Sequence, residues 1–529
     1  MSIPTKTTVL VIGGGPGGSY TASALAREGI DTVLLEADVF PRYHVGESMV
    51  ASIRHFLRFI DLDTTFNNHG FIKKTGAAFK LNNQKTAYTD FIVAAGPDSY
   101  AWNVIRSEAD DLIFRHAGKS GAKIFDGVKV TSLEFVPNKE ADLPTDGTAD
   151  PGRPVSATWT AKDGRTGSIS FDYLVDASGR VGIVTTKYLK TRSYNQDLKN
   201  VASWGYWRGA ISYGVGTPKE GQPFFEALQD GSGWVWFIPL HDGTVSVGVV
   251  MNQEMSTQKK KESTTDNGRD FYIESIKDAH GVTHLLQNAK LDTEVKHASD
   301  WSYSASEYAS PYVRVVGDAG CFIDPYFSSG VHLAFSGALS AAVSISASIR
   351  GHCDETQAWK WHSTGVRDRF TRFLLVVMSA TKQIRARDAP IMNNQGEDGF
   401  DDAFTIIRPV IQGISDVTGK TTHDEVSRAV DFTTEAVAKT KPDDSANSSS
   451  QAGPQFTDTI QQGSLTKDEA KVLHMVKNVF KDFFVADVYN GYRAKLERGS
   501  LGLEKVNTEA LLVGEKLSGT KTEVKEVEV

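Results

Sequence analysis

A chain of 529 residues is too long for one compact hydrophobic core, so we expect two or three lobes. The formal net charge of −8 at pH 7, without any cluster of Lys and Arg, argues against a nucleic-acid partner. Two cysteines, Cys321 and Cys353, are too few for a disulfide framework and lack metal-ligand spacing, so we predict no metal site and a reducing compartment, the cytoplasm. The first predicted strand begins by about residue 7, which leaves no room for a signal peptide, and we expect no apolar run of membrane-spanning length.

An apolar run followed by a glycine-rich turn opens the chain. Residues 9–12 predict a buried strand, which leads directly into Gly13-x-Gly15-x-x-Gly18. A helix is predicted over 19–28, and a second strand over 32–35 ends at Glu36. This order is typical of a dinucleotide-binding unit, in which the glycines let the backbone approach a pyrophosphate and the acid accepts from a ribose hydroxyl. The sequence therefore predicts a bound dinucleotide.

Further elements of the same lobe follow up to about residue 200. They are a bent connector over 40–48, helices over 48–59 and 107–118, and strands over 77–81, 128–136, 155–161 and 168–175. The last three strands are predicted to form a meander beside the first lobe. The final one ends in a second strand-to-glycine turn, Asp176-Ala-Ser-Gly-Arg180.

The second half of the chain begins with an aromatic, strand-rich stretch. Residues 201–250 predict a second sheet lobe, and the Lys-rich residues 253–266 predict an exposed loop. A strand over 312–316 leads into a third strand-to-glycine turn, Gly317-Asp318-Ala-Gly320, and a helix over 334–349 follows. The remainder is predicted to be mainly helical, with an apolar stripe over 366–377, a capping box Thr466-x-x-Glu469, a linker over about 441–455 and a mobile tail from about 518.

Three strand-to-glycine turns favour FAD over a nicotinamide cofactor. An extended FAD lies across a whole lobe, so its two ends must be held by segments that are far apart in the sequence. Asp318 would accept from ribose or ribityl hydroxyls, and the helix after Gly330 would direct its N-terminus at the flavin pyrimidine edge. The sequence thus predicts an FAD protein.

The three turns resemble the FAD-binding fold of the aromatic hydroxylases, and three further motifs resemble the flavin-dependent halogenases. The motifs are Phe40-Pro-Arg-x-x-Val-Gly-Glu-Ser48, Lys74-Thr-Gly-Ala-Ala-Phe79 and Gly233-Trp-Val-Trp-Phe-Ile-Pro239, the last of which matches the family's WxWxIP motif in full. The resemblance covers about residues 5–350 and is strongest to the fungal branch that acts on phenolic polyketides in secondary metabolism. The C-terminal third carries no recognisable motif.

The resemblance implies an α/β fold with α+β elaborations. We expect a Rossmann-type FAD-binding lobe of the aromatic-hydroxylase (GR2) type, a second mixed β-sheet lobe for the substrate, and a helical C-terminal region. The expected division assigns residues 1–80, 101–200 and 301–350 to the FAD-binding lobe, 81–100 and 201–300 to the substrate lobe, and 351–529 to the C-terminal region.

The resemblance also implies a set of site residues. FAD would be bound by residues of the turns and the connector, namely Gly13, Gly15, Pro16, Gly18, Glu36, Ala37, Arg42, Gly46, Glu47, Ser48, Arg106, Asp176, Ala177, Gly179, Gly317, Asp318, Gly330 and Val331. The halide would be bound by Ser328, Ser329 and Gly330. Trp234, Trp236 and Pro239 would separate the flavin from the organic substrate, and Lys74 would be the catalytic residue.

The chemistry implied is that of an FADH2-dependent halogenase. Reduced flavin, delivered by a separate reductase, and O2 would oxidise chloride or bromide to hypohalous acid, which then halogenates an electron-rich phenolic ring. Because burial lowers the pKa of a lysine, Lys74 could act as an ammonium that hydrogen-bonds hypochlorous acid or as an amine that forms a chloramine. Its neighbour Lys73 is expected at the surface.

Several alternatives stay open at the level of sequence. Phe327 stands where the tryptophan halogenases carry Glu, which either fits an electron-rich phenol or is only a packing variant. Aromatic residues of the second lobe either line a substrate pocket or form its core; they are Trp204, Tyr206, Trp207, Phe224 and Phe225. An FAD aromatic monooxygenase and a non-catalytic binding protein of the same fold are the competing functions.

Overall fold

The computed structural model describes residues 2–138, 151–265, 267–387, 389–392, 399–417, 423–439, 465–479 and 488–506. Its strands are β1 (Lys6–Ile12), β2 (Thr32–Leu35), β3 (Ile72–Lys74), β4 (Gly76–Lys80), β5 (Ala87–Asp90), β6 (Ala101–Asn103), β7 (Lys123–Phe125), β8 (Val128–Val136), β9 (Arg153–Ala161), β10 (Thr166–Asp176), β11 (Arg192–Arg208), β12 (Phe224–Ala227), β13 (Gly233–Pro239), β14 (Thr244–Asn252), β15 (Lys290–Leu291), β16 (Lys296–Ala305), β17 (Ala309–Ser310), β18 (Val313–Val315), β19 (Tyr492–Lys495) and β20 (Gly502–Lys505). Its α-helices are α1 (Pro16–Arg27), α2 (Ile53–Phe59), α3 (Asp63–Asn68), α4 (Phe91–Ala95), α5 (Arg106–Lys119), α6 (Gln253–Glu262), α7 (Gly268–Ile276), α8 (His280–Leu285), α9 (Gly330–Arg350), α10 (Glu355–Arg385), α11 (Asp401–Ile411), α12 (His423–Ala438) and α13 (Lys467–Val479).

The first sheet carries the predicted dinucleotide-binding unit. Its strand order is β17-β18-β10-β1-β2-β7, and the central pairs β18/β10, β10/β1, β1/β2 and β2/β7 are parallel. Strands β8 and β9 continue from β10 as an antiparallel meander. The carboxyl ends of β1, β2, β10 and β18 therefore lie at one edge, which is where ligands bind in open α/β sheets.

The second sheet is mixed and mostly antiparallel, with the order β15-β11-β14-β13-β12-β4-β5 and β16 beside β11. One face packs against α7 and α8 through the buried side chains of Phe237 and Val247. The other face packs against α10, α11 and α12 and carries Trp234 and Trp236. This inner face is where the second sheet meets the rest of the molecule.

Helix α9 forms the centre of the first lobe. It packs against α1 on one side and α10 on the other, and Tyr20 contacts Phe335 with ring centroids 4.9 Å apart. By length and composition α9 could cross a membrane, but most of it is buried inside the protein, as expected for a core helix. The helix begins at Gly330, four residues earlier than predicted, and is 21 residues long.

The structure corrects several other local predictions. The helix predicted over 48–59 begins only at Ile53, because Ser48 is in extended backbone and pairs with Asn103. The loop predicted over 253–266 is helix α6 for most of its length, because the Asn252 side chain caps it and Lys259 lies in its last turn, where the helix dipole favours positive charge. The meander does not simply flank the first lobe, because its third strand, β10, pairs directly with β1.

The boundaries of the second sheet also differ from the expected division. Its strands begin at residue 76 with β4, include β11 from residue 192, and end with β16 at residue 305. The described part of the C-terminal region is mainly helical as predicted, but it also contains the hairpin β19–β20. The predicted linker over 441–455 and the tail from 518 lie outside the described residues.

Candidate active site

The turn after β1 is shaped to admit a phosphate group. Gly13 has a φ of +100°, and an added Cβ would lie 2.1 Å from the carbonyl oxygen of Ala177. A Cβ on Gly18 would lie 1.8 Å from the carbonyl oxygen of Gly13. Helix α1 begins at once, with Gly15 as N-cap and Pro16 in the first turn, so its first N–H groups point towards the turn. Only glycine fits this packing, and the helix N-terminus favours an anion.

Glu36 is held at the end of β2. Its carboxylate is buried and accepts from the backbone N–H of Gly14 at 2.5 Å and of Asp38 at 2.7 Å. Ala37 follows it directly. The position beside the glycine turn fits the ribose-binding acid that the motif predicts.

A charged cluster lies between the connector and α5. Arg106 donates to Asp110 through Nε at 2.9 Å and Nη2 at 3.1 Å, and Arg42 donates to the same carboxylate at 3.0 Å. Burial alone would raise the pKa of Asp110, but the two guanidinium groups hold it below its usual value. Arg106 Nη1 also donates to the carbonyl oxygens of Val45 and Gly46, which fixes the connector. The Arg42 guanidinium lies 3.4 Å from where a Cβ on Gly15 would be, so its positive charge faces the phosphate turn.

The second and third strand-to-glycine turns differ in what they leave accessible. Asp176 is fully buried, and its carboxylate accepts from the Val184 N–H at 2.7 Å and from Ser178, so it organises the following turn. Gly179, with a φ of +63°, has open space where a side chain would be. Asp318, beside Gly317 with a φ of +61°, is half-buried, and burial raises its pKa against the nearby charges of Arg180, Arg106 and Arg192. Asp318 is thus the acid of the two that is free to meet a ligand hydroxyl.

The predicted halide turn is the N-terminus of α9. Ser328 has a left-handed φ of +58°, Ser329 is the N-cap, and no atom lies within 4 Å of the place where a Cβ on Gly330 would be. The Ser329 hydroxyl is buried, and among the described residues it has no hydrogen-bond partner. Val331 follows and is buried. The open N–H groups of a 21-residue helix suit an anion.

Lys74 is buried to 2% exposure at the end of β3. Its Nζ donates to the Ser48 hydroxyl at 2.7 Å, the one hydrogen bond of this amine within the described ranges, and lies 5.3 Å from the centre of the Phe91 ring. Burial lowers the pKa of Lys74 from 10.5 to about 7. Lys73, in contrast, is exposed, as predicted, and lies over the ring of Tyr100. A buried amine that titrates near neutral pH is able to act either as a proton donor or as a nucleophile.

The tryptophans of β13 form a wall on the inner face of the second sheet. The rings of Trp234 and Trp236 are 5.9 Å apart, and both are buried. Trp236 lies directly over Gly248 of β14, where an added Cβ would be 2.1 Å from the indole. On the far side of Gly248, Trp204 of β11 lies 6.4 Å from Trp236. Pro239 ends β13.

The tryptophan wall is joined to the connector by hydrogen bonds. Trp204 Nε1 donates to the Tyr43 hydroxyl at 2.6 Å, Tyr43 lies 3.1 Å from the Tyr206 hydroxyl, and Tyr206 donates to Glu47 at 2.7 Å. Glu47 is buried, and burial raises its pKa despite the bond from Tyr206. The network fixes the orientation of Gly46–Ser48 relative to the second sheet.

The other aromatic residues of the second lobe belong to two separate clusters. Trp207 and Phe224 face outwards and pack under α7 and α8, whereas Phe225 faces inwards and stacks on Phe79 at 4.9 Å. Phe327 is also packed, 5.3 Å from Phe79 and 6.2 Å from Phe404 of α11. The packing interpretation of Phe327 therefore has direct support.

The sequence analysis missed a buried contact between α9 and the C-terminal region. His332 Nδ1 lies 2.7 Å from the Ser52 hydroxyl, and its Nε2 lies 2.8 Å from Asp416, which also pairs with Arg372. Phe404 packs against Phe79 and Phe327, so residues 401–416 contact both the inner sheet face and the two sides of the predicted halide turn. A lone histidine in a helix of small residues gives no signal of it in the sequence.

One group of possible metal ligands occurs in the part of the chain that the structure describes. The ligand atoms of His69, Glu108 and His241 lie within 4.8 Å of one another. Glu108 of α5 is hydrogen-bonded to His69 at 2.6 Å and lies 3.2 Å from His241, so it links the end of α3 to the β13–β14 turn.

Comparison with known proteins agrees with this geometry. Residues 6–365 match a family model described as an FAD binding domain. The flavin-dependent halogenase otaD of Aspergillus carbonarius is 64% identical over 96% of this chain and all of its own length. The sulochrin halogenase gedL of Aspergillus terreus is 53% identical over 96% of this chain and 95% of its own. The solved structure of the myxobacterial chondrochloren halogenase CndH superposes with a TM-score of 0.63 at 25% identity, over 82% of this chain and 98% of its own.

Proposed function

The chain belongs to the flavin-dependent halogenases, and we propose that its substrate carries an electron-rich phenolic ring. As a member of this family it is an enzyme that uses FAD to halogenate a small molecule. In our proposal the ring is halogenated with the aid of Lys74. The observation that carries the proposal is the state of Lys74, a buried amine whose pKa is lowered to about 7. Burying a lysine is energetically costly, so a lysine at this buried position indicates a role in the chemistry of the site. A relative named for the halogenation of sulochrin supports a small organic substrate.

The glycine turn and its charges fit FAD. The cradle of Gly13 and Gly18 would hold the pyrophosphate against the α1 N-terminus, with Arg42 as counter-charge. Glu36 and Asp318 would accept from sugar and ribityl hydroxyls. Reduced FAD with O2 supplies the oxidising equivalents that convert chloride, or bromide, to hypohalous acid. A separate flavin reductase would deliver the reduced FAD.

The N-terminus of α9 would hold the halide. The first N–H groups of α9 lie beside the open space at Gly330, and the Ser329 hydroxyl, which has no partner among the described residues, adds a donor. Trp234, Trp236 and Pro239 would keep the organic substrate away from the flavin, so that the halide and not the ring is oxidised there.

Lys74 would pass the halogen to the ring. As an ammonium it donates a hydrogen bond to the oxygen of hypochlorous acid and makes the chlorine more electrophilic. As an amine it attacks the chlorine itself and releases hydroxide, which becomes water. In either case a ring carbon forms the C–Cl bond, the O–Cl or N–Cl bond breaks, and the ring loses its proton, so that the net products are the chlorinated phenol and water.

A reconstituted reaction tests this function. The purified protein would be supplied with FAD, NADH, a flavin reductase, O2 and a resorcylic phenol, in buffers with chloride, with bromide and without halide. We expect products with the chlorine or bromine isotope pattern in the first two buffers and none in the third. A product that gains one oxygen and no halogen would contradict the proposal and favour a monooxygenase.

A further inference from the structure

The carboxamide of Asn103 is a buried polar group that the mechanism above does not use. The residue is completely shielded from solvent, and neither its side-chain nitrogen nor its oxygen has a hydrogen-bond partner within the described part of the chain. The large majority of buried polar groups in proteins are paired, and an amide with both ends free is unfavourable. The burial of this unpaired amide is therefore best explained by a bound molecule that supplies its hydrogen-bond partners.

Strand register places Asn103 beside Lys74. Asn103 pairs with Ile72 of β3 on one side and with Ser48 on the other, both antiparallel. Directly paired residues have side chains on the same face of a sheet, and so do residues two apart along a strand. Asn103, Ser48 and Lys74 consequently share one face.

The lysine side chain crosses the strand that carries Asn103. Lys74 pairs with Ala101, whose small side chain leaves room above β6, and the Nζ reaches the Ser48 hydroxyl at 2.7 Å on the far side. The Asn103 amide lies next to this crossing but beyond hydrogen-bond distance of it. Two unused donors and an unused acceptor thus flank the reactive amine.

We propose that the Asn103 carboxamide is a subsite for a small hydroxyl group beside Lys74. The inference rests on the proposed role of Lys74. A carboxamide offers a donor and an acceptor side by side, and a hydroxyl needs both on one oxygen. Two hydroxyls belong to the reaction, that of hypochlorous acid and that of the phenol. With its phenolic oxygen on Asn103, the ring would present its ortho carbon to Lys74, so the subsite would favour ortho over para chlorination.

The variant Asn103→Leu tests this subsite, because leucine has a similar size and no polar atoms. We expect unchanged FAD absorbance and an unchanged or higher melting temperature, since the fold gains nothing from the unpaired amide. The kcat/KM for a resorcylic phenol should fall about tenfold, the effect of losing one hydrogen bond of this kind, and the ortho preference should weaken. Ser346→Ala is the matched control, because it removes another buried polar group without a partner among the described residues, near the C-terminal end of α9. Its activity should equal that of wild type.

Binding and trapping measurements separate the two hydroxyls. If the phenol is the ligand, calorimetry on the oxidised FAD form will show about tenfold weaker phenol binding to Asn103→Leu. If hypochlorous acid is the ligand, phenol affinity will stay constant while more hypochlorous acid escapes to a trap in solution. Unchanged phenol affinity, trapping and ortho-to-para ratio would overturn the subsite.

Two outcomes keep this inference distinct from the proposed function. If wild type chlorinates and Asn103→Leu equals it, only the subsite fails. If wild type does not chlorinate phenols, the proposed function fails. In that case a comparison of phenol affinity between wild type and Asn103→Leu still tests whether Asn103 binds a phenol. Should Asn103→Leu not bind FAD, Asn103→Ala would be measured in its place.

Discussion

Replacing Lys74 with methionine should stabilise the fold while it abolishes halogenation. Burial lowers the pKa of Lys74 from 10.5 to about 7, and one pKa unit corresponds to about 1.4 kcal/mol, so keeping this lysine costs about 5 kcal/mol at neutral pH. Methionine fills a similar volume without charge. Loss of the hydrogen bond to Ser48 destabilises the variant by about 1 kcal/mol, so the free energy of unfolding should rise by about 4 kcal/mol in total.

The sign of the pH dependence makes this prediction specific. Because the folded-state pKa is lowered, the unfolded chain binds a proton between about pH 7 and 10.5 that the folded chain does not. The free-energy cost of burying Lys74 is complete below pH 7 and vanishes as the pH approaches 10.5. The gain in unfolding free energy from Lys74→Met should therefore shrink to about 1 kcal/mol at pH 9. Urea unfolding with saturating FAD, at pH 6.5 and 9, measures both values. The exposed neighbour gives the control, Lys73→Met, which should change the unfolding free energy by less than about 0.5 kcal/mol. A Lys74→Met protein that is less stable than wild type at pH 6.5 would refute the reasoning.

Three further predictions concern other parts of the site. Gly248→Ala should lower the unfolding free energy by about 2–3 kcal/mol in thermal unfolding, because its Cβ would lie 2.1 Å from the Trp236 ring. Asp416→Asn should cost about 3 kcal/mol at pH 7, because it breaks a buried pair with Arg372. Burial alone would raise the pKa of Asp416, but Arg372 and His332 hold it below its usual value, so the difference in stability should shrink as the pH falls below about 4. The chlorination rate should change near pH 7, falling above it if Lys74 acts as an ammonium and below it if it acts as an amine.

Each of these has an outcome that counts against it. Gly337→Ala is the control for Gly248→Ala, because its Cβ would make only ordinary contacts at 3.8 Å inside α9; equal losses from both variants would mean that the contact with the tryptophan is not the cause. A constant difference for Asp416→Asn between pH 7 and pH 3 would contradict the charge argument. A flat rate between pH 6 and 8 would mean that Lys74 does not titrate in the step that limits the rate.

Local physics explains why the FAD-binding unit could be predicted from sequence. Gly18 is required by a contact within its own turn, Gly13 by its left-handed backbone, and Glu36 follows from the length of β2, so the pattern and the structure share a local cause. The capping box at Thr466 is equally local, and both of its hydrogen bonds are present, at 2.9 and 3.0 Å. The prediction of a loop over 253–266 was wrong because a Lys-rich stretch favours a loop by composition alone. At the C-terminus of α6, however, the same lysines interact favourably with the helix dipole and stabilise the helix.

The long-range parts of the site could not be predicted in this way. The contact between His332 and Asp416 spans 84 residues, and the register that places Asn103 between Ile72 and Ser48 depends on three separate segments. His332, Asp416 and Asn103 do not belong to any motif in their own stretches of chain. Such contacts depend on the tertiary packing of the complete fold, which local sequence patterns do not predict.

The most direct test of the account is the yield of chlorinated phenol per NADH consumed, measured for wild type, Lys74→Ala and Lys73→Ala with a flavin reductase. Flavin absorbance of each purified protein would confirm that FAD is bound. We predict that Lys73→Ala matches wild type and that Lys74→Ala consumes NADH but forms almost no chlorinated product. An equal yield from Lys74→Ala and wild type would contradict the central claim, that the buried amine of Lys74 is needed for the step that brings the halogen from hypochlorous acid to the ring.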